Sequence, residues 1–312
     1  MSSIADKFKE NAKKILNINL MIADKSLFER SYTYYFNELL SELAKRDVRR
    51  SVLMIDEFDG LYKQIDPRYS ADVKHLGFTE QFFHYLRGLS KSRNFSLVLT
   101  GGEAMPLLFD RLGEIFNHDR SWRVDYLPST DGSVEQLIRN VHVRSVLTFG
   151  EDAVRIIKDA SSCNPYFVQK ICYELVESAK RKKSNHICQL DVEESLSYLV
   201  HRGIEANSVQ HLYSEPAVPD ALSRAIISLA AELEGNSHGY GPHYIPVKVI
   251  LEKLSPEYED QALIRIFELV RRQILRRNPV ETNEIALMIP LFREWLNVTG
   301  TTYADRADFC RR

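Results

Sequence analysis

Val52-Leu53-Met54-Ile55, four apolar residues in a row, run straight into Asp56 and Glu57, and no other stretch restricts the fold so tightly. A short run with no polar side reads as a strand buried on both faces, as in a parallel sheet. Ahead of it Phe28, Tyr32, Tyr35, Phe36, Leu39, Leu40 and Leu43 recur at helical spacing. Lys45, Arg46, Arg49 and Arg50 suit the negative end of that helix. Beyond the acids, residues 59–79 read as a loop, with Gly60 and Pro67 among mixed charges. Phe82, Phe83, Leu86 and Leu89 mark a second helix. A second buried strand is expected at Phe95–Leu99, closed by Thr100-Gly101-Gly102, and a third at 122–127, ending at Pro128. Strand and helix in alternation predict an α/β fold with a doubly wound sheet.

After Pro128 the strand signal fades. Helices are expected from Val134 to Val141, from Asp152 to Ala160 and from Pro165 onward, the last ending in the basic run Lys180 to Lys183. Asp191 is placed to cap the next. Ser214-Glu215-Pro216-Ala217-Val218-Pro219 reads as a linker. Beyond it come a helix at 222–233, a glycine-rich loop at 235–242, two more helices, a strand at 285–289 and a terminal helix, an order compatible with a winged helix. The expected segments are thus an α/β core at 1–128, helices at 129–213, a winged helix at 214–300 and a tail at 301–312.

The four cysteines, Cys163, Cys172, Cys188 and Cys310, show no CxxC spacing, which suits neither a zinc site nor a disulfide framework. No apolar run approaches the roughly 20 residues that span a bilayer, and the N-terminus has no apolar signal core. These features point to the cytoplasm and to no membrane partner. With a net charge of -2, the composition demands no nucleic acid either.

The acids carry the chemistry. Ligands of parallel sheets bind at the carboxyl ends of the strands. A carboxylate there holds Mg²⁺ through its waters, and a neighbouring glutamate can orient or deprotonate the water that attacks a phosphate. Asp56 fits the first role and Glu57 the second. Thr100, ending the next strand, can sense a γ-phosphate. By themselves the acids are equally an ordinary strand end, Thr100 a strand cap, and Gly101-Gly102 a tight turn.

Five segments in order resemble the ATPase module of the STAND class, relatives of the AAA+ P-loop ATPases. VLMIDEFDGL resembles the Walker B strand and FSLVLTGGE the sensor-1 strand. WRVDYLPSTDGSVEQLIRN resembles the junction to the lid, LTFGEDAVRIIKDASSCNPYFVQKICYELVE the lid helices, and MIPLFREWL the end of the winged helix. The similarity runs from about Phe28 to Leu296. It implies a partial P-loop NTPase parallel sheet, an α-helical lid and a winged helix, acting as an ATP-driven switch. It implies ATP and Mg²⁺ as cofactors, Asp56 on the metal, Glu57 for water activation, Thr100 as sensor 1 and Pro165 packed near the base. Where relatives carry glycine two residues before that proline, this chain has Cys163; Asn164-Pro165 is also an ordinary helix start.

One half of such a site is missing. A Walker A loop needs G-x-x-x-x-G-K-[ST], yet the first glycine of the chain is Gly60, and Ala23-Asp24-Lys25-Ser26 has no glycine to turn on. The expectation is a module inactive by itself: part of a longer ATPase, a degenerate scaffold, or a chain whose partner brings the loop. An upstream segment or a partner chain carrying Walker A, and a homo-oligomer, are the partners expected. Arg111, Arg120 and Arg123 are candidates for an arginine finger. Arg265, Arg271, Arg272, Arg276 and Arg277 crowd one helix and its exit, which reads as a DNA-contacting winged helix, as a solvated face that complements the helix C-terminus, or as a surface that docks on the ATPase core.

Overall fold

The apolar run before Asp56 forms strand β1 (Ser51–Ile55), paired in parallel with β2 (Phe95–Leu99), Ser51 opposite Phe95 and Ile55 opposite Leu99. The structure, a computed structural model, describes residues 25–45, 50–61, 73–92, 94–102, 104–113, 124–140, 147–203, 212–213, 220–235, 239–299 and 309–310. They belong to two compact units, 1–118 and 119–312.

In the first unit α1 (Lys25–Lys45) precedes β1, a single 3-10 turn (Phe58–Leu61) follows it, α2 (Val73–Ser90) leads into β2, and α3 (Met105–Arg111) comes after. Side chains alternate across a strand, and Leu53, Ile55, Leu97 and Leu99 close on Phe58, Phe83, Leu86, Leu107 and Leu108. The opposite face stays open, with Val52 56 %, Met54 71 % and Val98 39 % exposed. Burial on both faces, expected from the apolar run, is therefore met on one face only, because α2 and α3 both pack on the same side. α1 joins α2 through aromatic edges: the Tyr32 ring meets Phe82 at 5.4 Å and Tyr85 at 5.6 Å.

Two expectations need correction here. Residues 73–79 are helical rather than loop; the breakers Gly60 and Pro67 that suggested a loop both lie before the helix begins at Val73. The third strand does not form over residues 124–127, where Val124 is solvent-exposed and the Leu127 N–H donates to Cys163 O at 3.1 Å instead of to a neighbouring strand. Trp122 and Arg123 lie outside the described residues.

The second unit begins with α4 (Ser133–Asn140), β3 (Thr148–Phe149), α5 (Glu151–Ser161), α6 (Pro165–Lys182), β4 (His186–Ile187) and α7 (Gln189–Tyr198). It continues with α8 (Ala221–Glu234), β5 (Ile245–Pro246), α9 (Val247–Lys253), α10 (Glu259–Arg271), β6 (Leu275–Arg277), β7 (Glu284–Leu287) and α11 (Pro290–Thr299). β3 and β4 pair in parallel, while β5, β7 and β6 form an antiparallel sheet in that order. One hydrophobic core runs from Val134 through Ile171 and Leu175 to Leu287, Phe292 and Leu296. Residues 129–213 and 214–300 thus share a core, and the expected linker at 214–219 lies outside the described residues.

Buried charge stitches this unit together. Arg293, fully buried, reaches Glu234 Oε2 at 3.4 Å and donates to Gly239 O at 3.1 Å, while Glu234 accepts the Leu287 N–H. Arg276 donates to Ser162 Oγ at 2.7 Å and to Leu287 O at 3.2 Å, binding the α5–α6 turn to β7. The basic run at 180–183 is largely neutralised: Lys180 pairs with Glu177 at 2.7 Å, Arg181 with Glu174 at 2.8 Å, and Lys182 with Asp191 at 2.7 Å and Glu194 at 2.6 Å.

Asp191 is the third residue of α7 rather than its cap, reaching back to accept the Cys188 N–H at 3.0 Å. Burial pushes its carboxyl up, but the bonds from Lys182 and Cys188 outweigh that and hold it at about 2. Its folded value lies below its unfolded one, so its contribution is present above about pH 4 and is lost as pH falls through about 2. Asp191→Asn is expected to cost about 1–2 kcal/mol near neutrality, discounted because Lys182 is partly exposed. In urea unfolding of the full chain, the gap from wild type should close between about pH 4 and about pH 2.

Candidate functional site

The β1–β2 ladder does not stop where the strands do. Thr100 N–H donates to Ile55 O at 2.9 Å, and Phe58 N–H donates to Thr100 O at 2.9 Å. Between them the chain turns at Glu57, whose φ of 54° lies in the left-handed region that costs a side-chain-bearing residue about 1–2 kcal/mol. The turn leaves Asp56 and Glu57 exposed at the carboxyl end of β1, with Thr100 at the same end of β2.

Within this corner the Thr100 hydroxyl donates to Asp56 Oδ1, and the Glu57 N–H donates to the same oxygen at 3.0 Å. Oδ2 takes no hydrogen bond among the described residues. The Thr100 hydroxyl, and after it the Glu57 amide, holds the Asp56 carboxyl below the usual carboxylate range, so it is ionised at neutral pH. The structure brings Asp56, Glu57 and Thr100 together as the sequence suggests.

A fourth residue joins them that the sequence reading missed. Asp59, on the 3-10 turn, is only 8 % exposed. A Cβ on Gly101 would lie 2.6 Å from Asp59 Oδ1 and 2.5 Å from Met105 Cγ, and one on Gly102 would lie 3.3 Å from Asp59 Oδ2. The space beside the glycine pair is therefore taken by an acid of the same chain. The available signal was a third acid in DEFDG, three residues after Asp56 and just before a glycine.

The metal side of a magnesium nucleotide fits these residues. No group of three His, Cys, Asp or Glu able to hold a metal exists among the described residues. Mg²⁺ seldom needs one, since it keeps its waters and binds one or two carboxylates together with substrate phosphates. The phosphate side finds no residues here, for the chain has no G-x-x-x-x-G-K-[ST].

Pro165 belongs to the other unit, as the first residue of α6, where Asn164 Oδ1 accepts the Tyr166 N–H at 3.0 Å and the Phe167 N–H at 3.4 Å. Ser162 (φ 49°) and Cys163 (φ 61°) form a left-handed pair just before it. That conformation favours glycine, and Cys163 adopts it with its thiol raised by burial.

The arginines do not share one basic face. Arg265 reaches Asp220 at 2.6 Å and Glu268 at 3.1 Å, Arg272 is 1 % exposed, Arg276 is bound to Ser162, and Arg271 lies over the Phe267 ring at 5.9 Å. Arg277 is exposed. Arg111 closes α3, and Arg120 and Arg123 lie outside the described residues.

No protein-family model and no curated protein matches the chain. Among solved structures it is similar to the Aeropyrum pernix ORC2 protein in ADPNP-ADP complexes, at 14% identity over 85% of this chain and 70% of that one, with a TM-score of 0.45. It is also similar to a RuvB mutant of Thermotoga maritima, at 15% identity over 75% of this chain and 66% of that one, with a TM-score of 0.35.

Thr100→Val removes the hydroxyl from Asp56 and leaves the Glu57 amide. The Asp56 carboxyl is then expected to titrate closer to an ordinary aspartate, read from its carboxyl carbon resonance against pH. An unmoved midpoint would sink the assigned bond.

Proposed function

We propose that the strand-end corner is the magnesium side of an ATP-binding and hydrolysing site in a STAND- or AAA+-like switch module. The carrying observation is the Asp56–Thr100 pair at the carboxyl ends of two adjacent parallel strands. When bound, Mg-ATP would supply the phosphoryl chemistry, with Asp56 on the metal's waters, Glu57 on the attacking water and Thr100 towards the γ-phosphate. An upstream segment or a partner chain brings the phosphate loop. The open sheet face at Val52, Met54 and Val98 supports this, since a parallel sheet is ordinarily covered on both sides.

In this reading α4–α7 act as the lid and α8–α11 with their three-stranded sheet as the winged helix. Their shared core and the Arg276–Ser162 bond support movement of the two as one body. The internal contacts of Arg265 and Arg276 support packing rather than DNA contact as the role of the basic cluster.

A second reading, a non-catalytic scaffold, is favoured by the absence of a phosphate loop from the 312 residues. Metal binding separates them. Mn²⁺, standing in for Mg²⁺, is expected to broaden the amide resonances of Asp56, Glu57 and Thr100, and the effect should vanish in Asp56→Asn. No broadening at these residues would leave the scaffold. Calorimetry with Mg-ATP on the chain by itself should give affinity no tighter than about 1 mM, because the phosphates lack their grip. Once the loop is supplied, Glu57→Gln is expected to retain binding and lose turnover.

A further inference from the structure

The corner contains a buried acid, Asp59, to which the proposed site gives no role. We infer that Asp59 is a positioning residue, a peg seated against Gly101 and Gly102 that fixes the end of β2 and so holds Thr100 against Asp56. Asp59 leaves β1 three residues after Asp56, yet its two carboxyl oxygens lie against two successive residues that follow Thr100. Space at the contact is gone: any side chain at Gly101 would meet Asp59 Oδ1 at 2.6 Å and the Met105 side chain at 2.5 Å (Cγ) and 2.7 Å (Sδ).

The backbone closes the same loop from the other side. Phe58, next to Asp59, donates its N–H to Thr100 O, next to Gly101, at 2.9 Å. Gly60 N–H donates to Glu57 O at 3.0 Å, which sets the turn that swings Asp59 inward. One strand end is thus hydrogen-bonded to the other at Phe58–Thr100 and packed against it at Asp59–Gly101. Asp56 and Thr100 lie on the outer side of this contact, where both are exposed. A threonine rotamer is chosen by its backbone and neighbours, so a fixed residue 100 is what lets its hydroxyl meet Asp56.

The role assigned to Asp59 rests on the reading of Asp56 and Thr100 as a magnesium site, but the peg itself can be tested without nucleotide or metal. In the full chain the χ1 scalar couplings of Thr100 should show a single rotamer. In Asp59→Ala they should fall to averaged values, and the amides of Phe58 and Thr100 should exchange at least about ten-fold faster. Leu86→Val, a core change on α2, distinguishes a peg from general loosening: it should speed exchange in the unit while leaving the Thr100 couplings at the wild-type value. If Asp59→Ala does not fold, Asp59→Ser, which withdraws both carboxyl oxygens from the glycines, is read the same way. Wild-type couplings and exchange in the Asp59 variant would overturn the inference, as would averaging of Thr100 in Leu86→Val. Failure of Mn²⁺ to bind wild type would remove the metal reading and leave the peg standing.

Discussion

Two amide hydrogen bonds, Thr100 to Ile55 and Phe58 to Thr100, carry the parallel pairing of β1 and β2 one residue beyond the strands, and the corner depends on that extension. They set Thr100 beside Asp56, the residue that follows Ile55 just as Thr100 follows Leu99. Register leaves no latitude, because a slip of one residue exchanges the two faces of a strand. Leu53 and Ile55 would then leave the packed side, and Asp56 would no longer meet a hydroxyl.

What could be read from the residues divides along physical lines. β1 and β2 were legible because short apolar runs ended by polar residues have few alternatives, and α5, α6 and α8 because their apolar positions recur with helical period. The meeting of Asp56, Glu57 and Thr100 was legible because they follow directly on two strands expected side by side. Asp59 was not: its role comes from glycines more than 40 residues away, and nothing local announces that pairing. The expected strand at 122–127 failed for a related reason. Apolar character at Val124 and Leu127 is necessary for a strand, but the Leu127 amide goes to Cys163 O.

Charge was the least legible property of all. The basic run that ends α6 is solvent-exposed, as its composition suggests, but nothing local tells that Lys182 is held by two acids of α7. Arg276 reads as part of a cationic cluster, yet it is turned inward onto Ser162 and the Leu287 carbonyl of β7. Buried ions need partners, and partners distant in sequence leave no local trace. The result is a second unit whose helices and sheet are joined by ionic and polar clasps across one apolar core. Removing one partner would expose the desolvation cost of the other.

The left-handed backbone at Glu57 has a consequence for how such a corner is lost. A glutamate codon lies a single base from a glycine codon. Glycine adopts that conformation without the penalty a Cβ brings, so Glu57→Gly would erase the acid and relax the backbone together. Most routes to an inactive site cost a fold some stability; here the commonest kind of point mutation offers one that runs downhill. In a lineage freed from the need for this carboxylate, drift would silence the corner early while the strands, the Asp59 peg and the hydrophobic core persisted, leaving a shape that outlasts its chemistry.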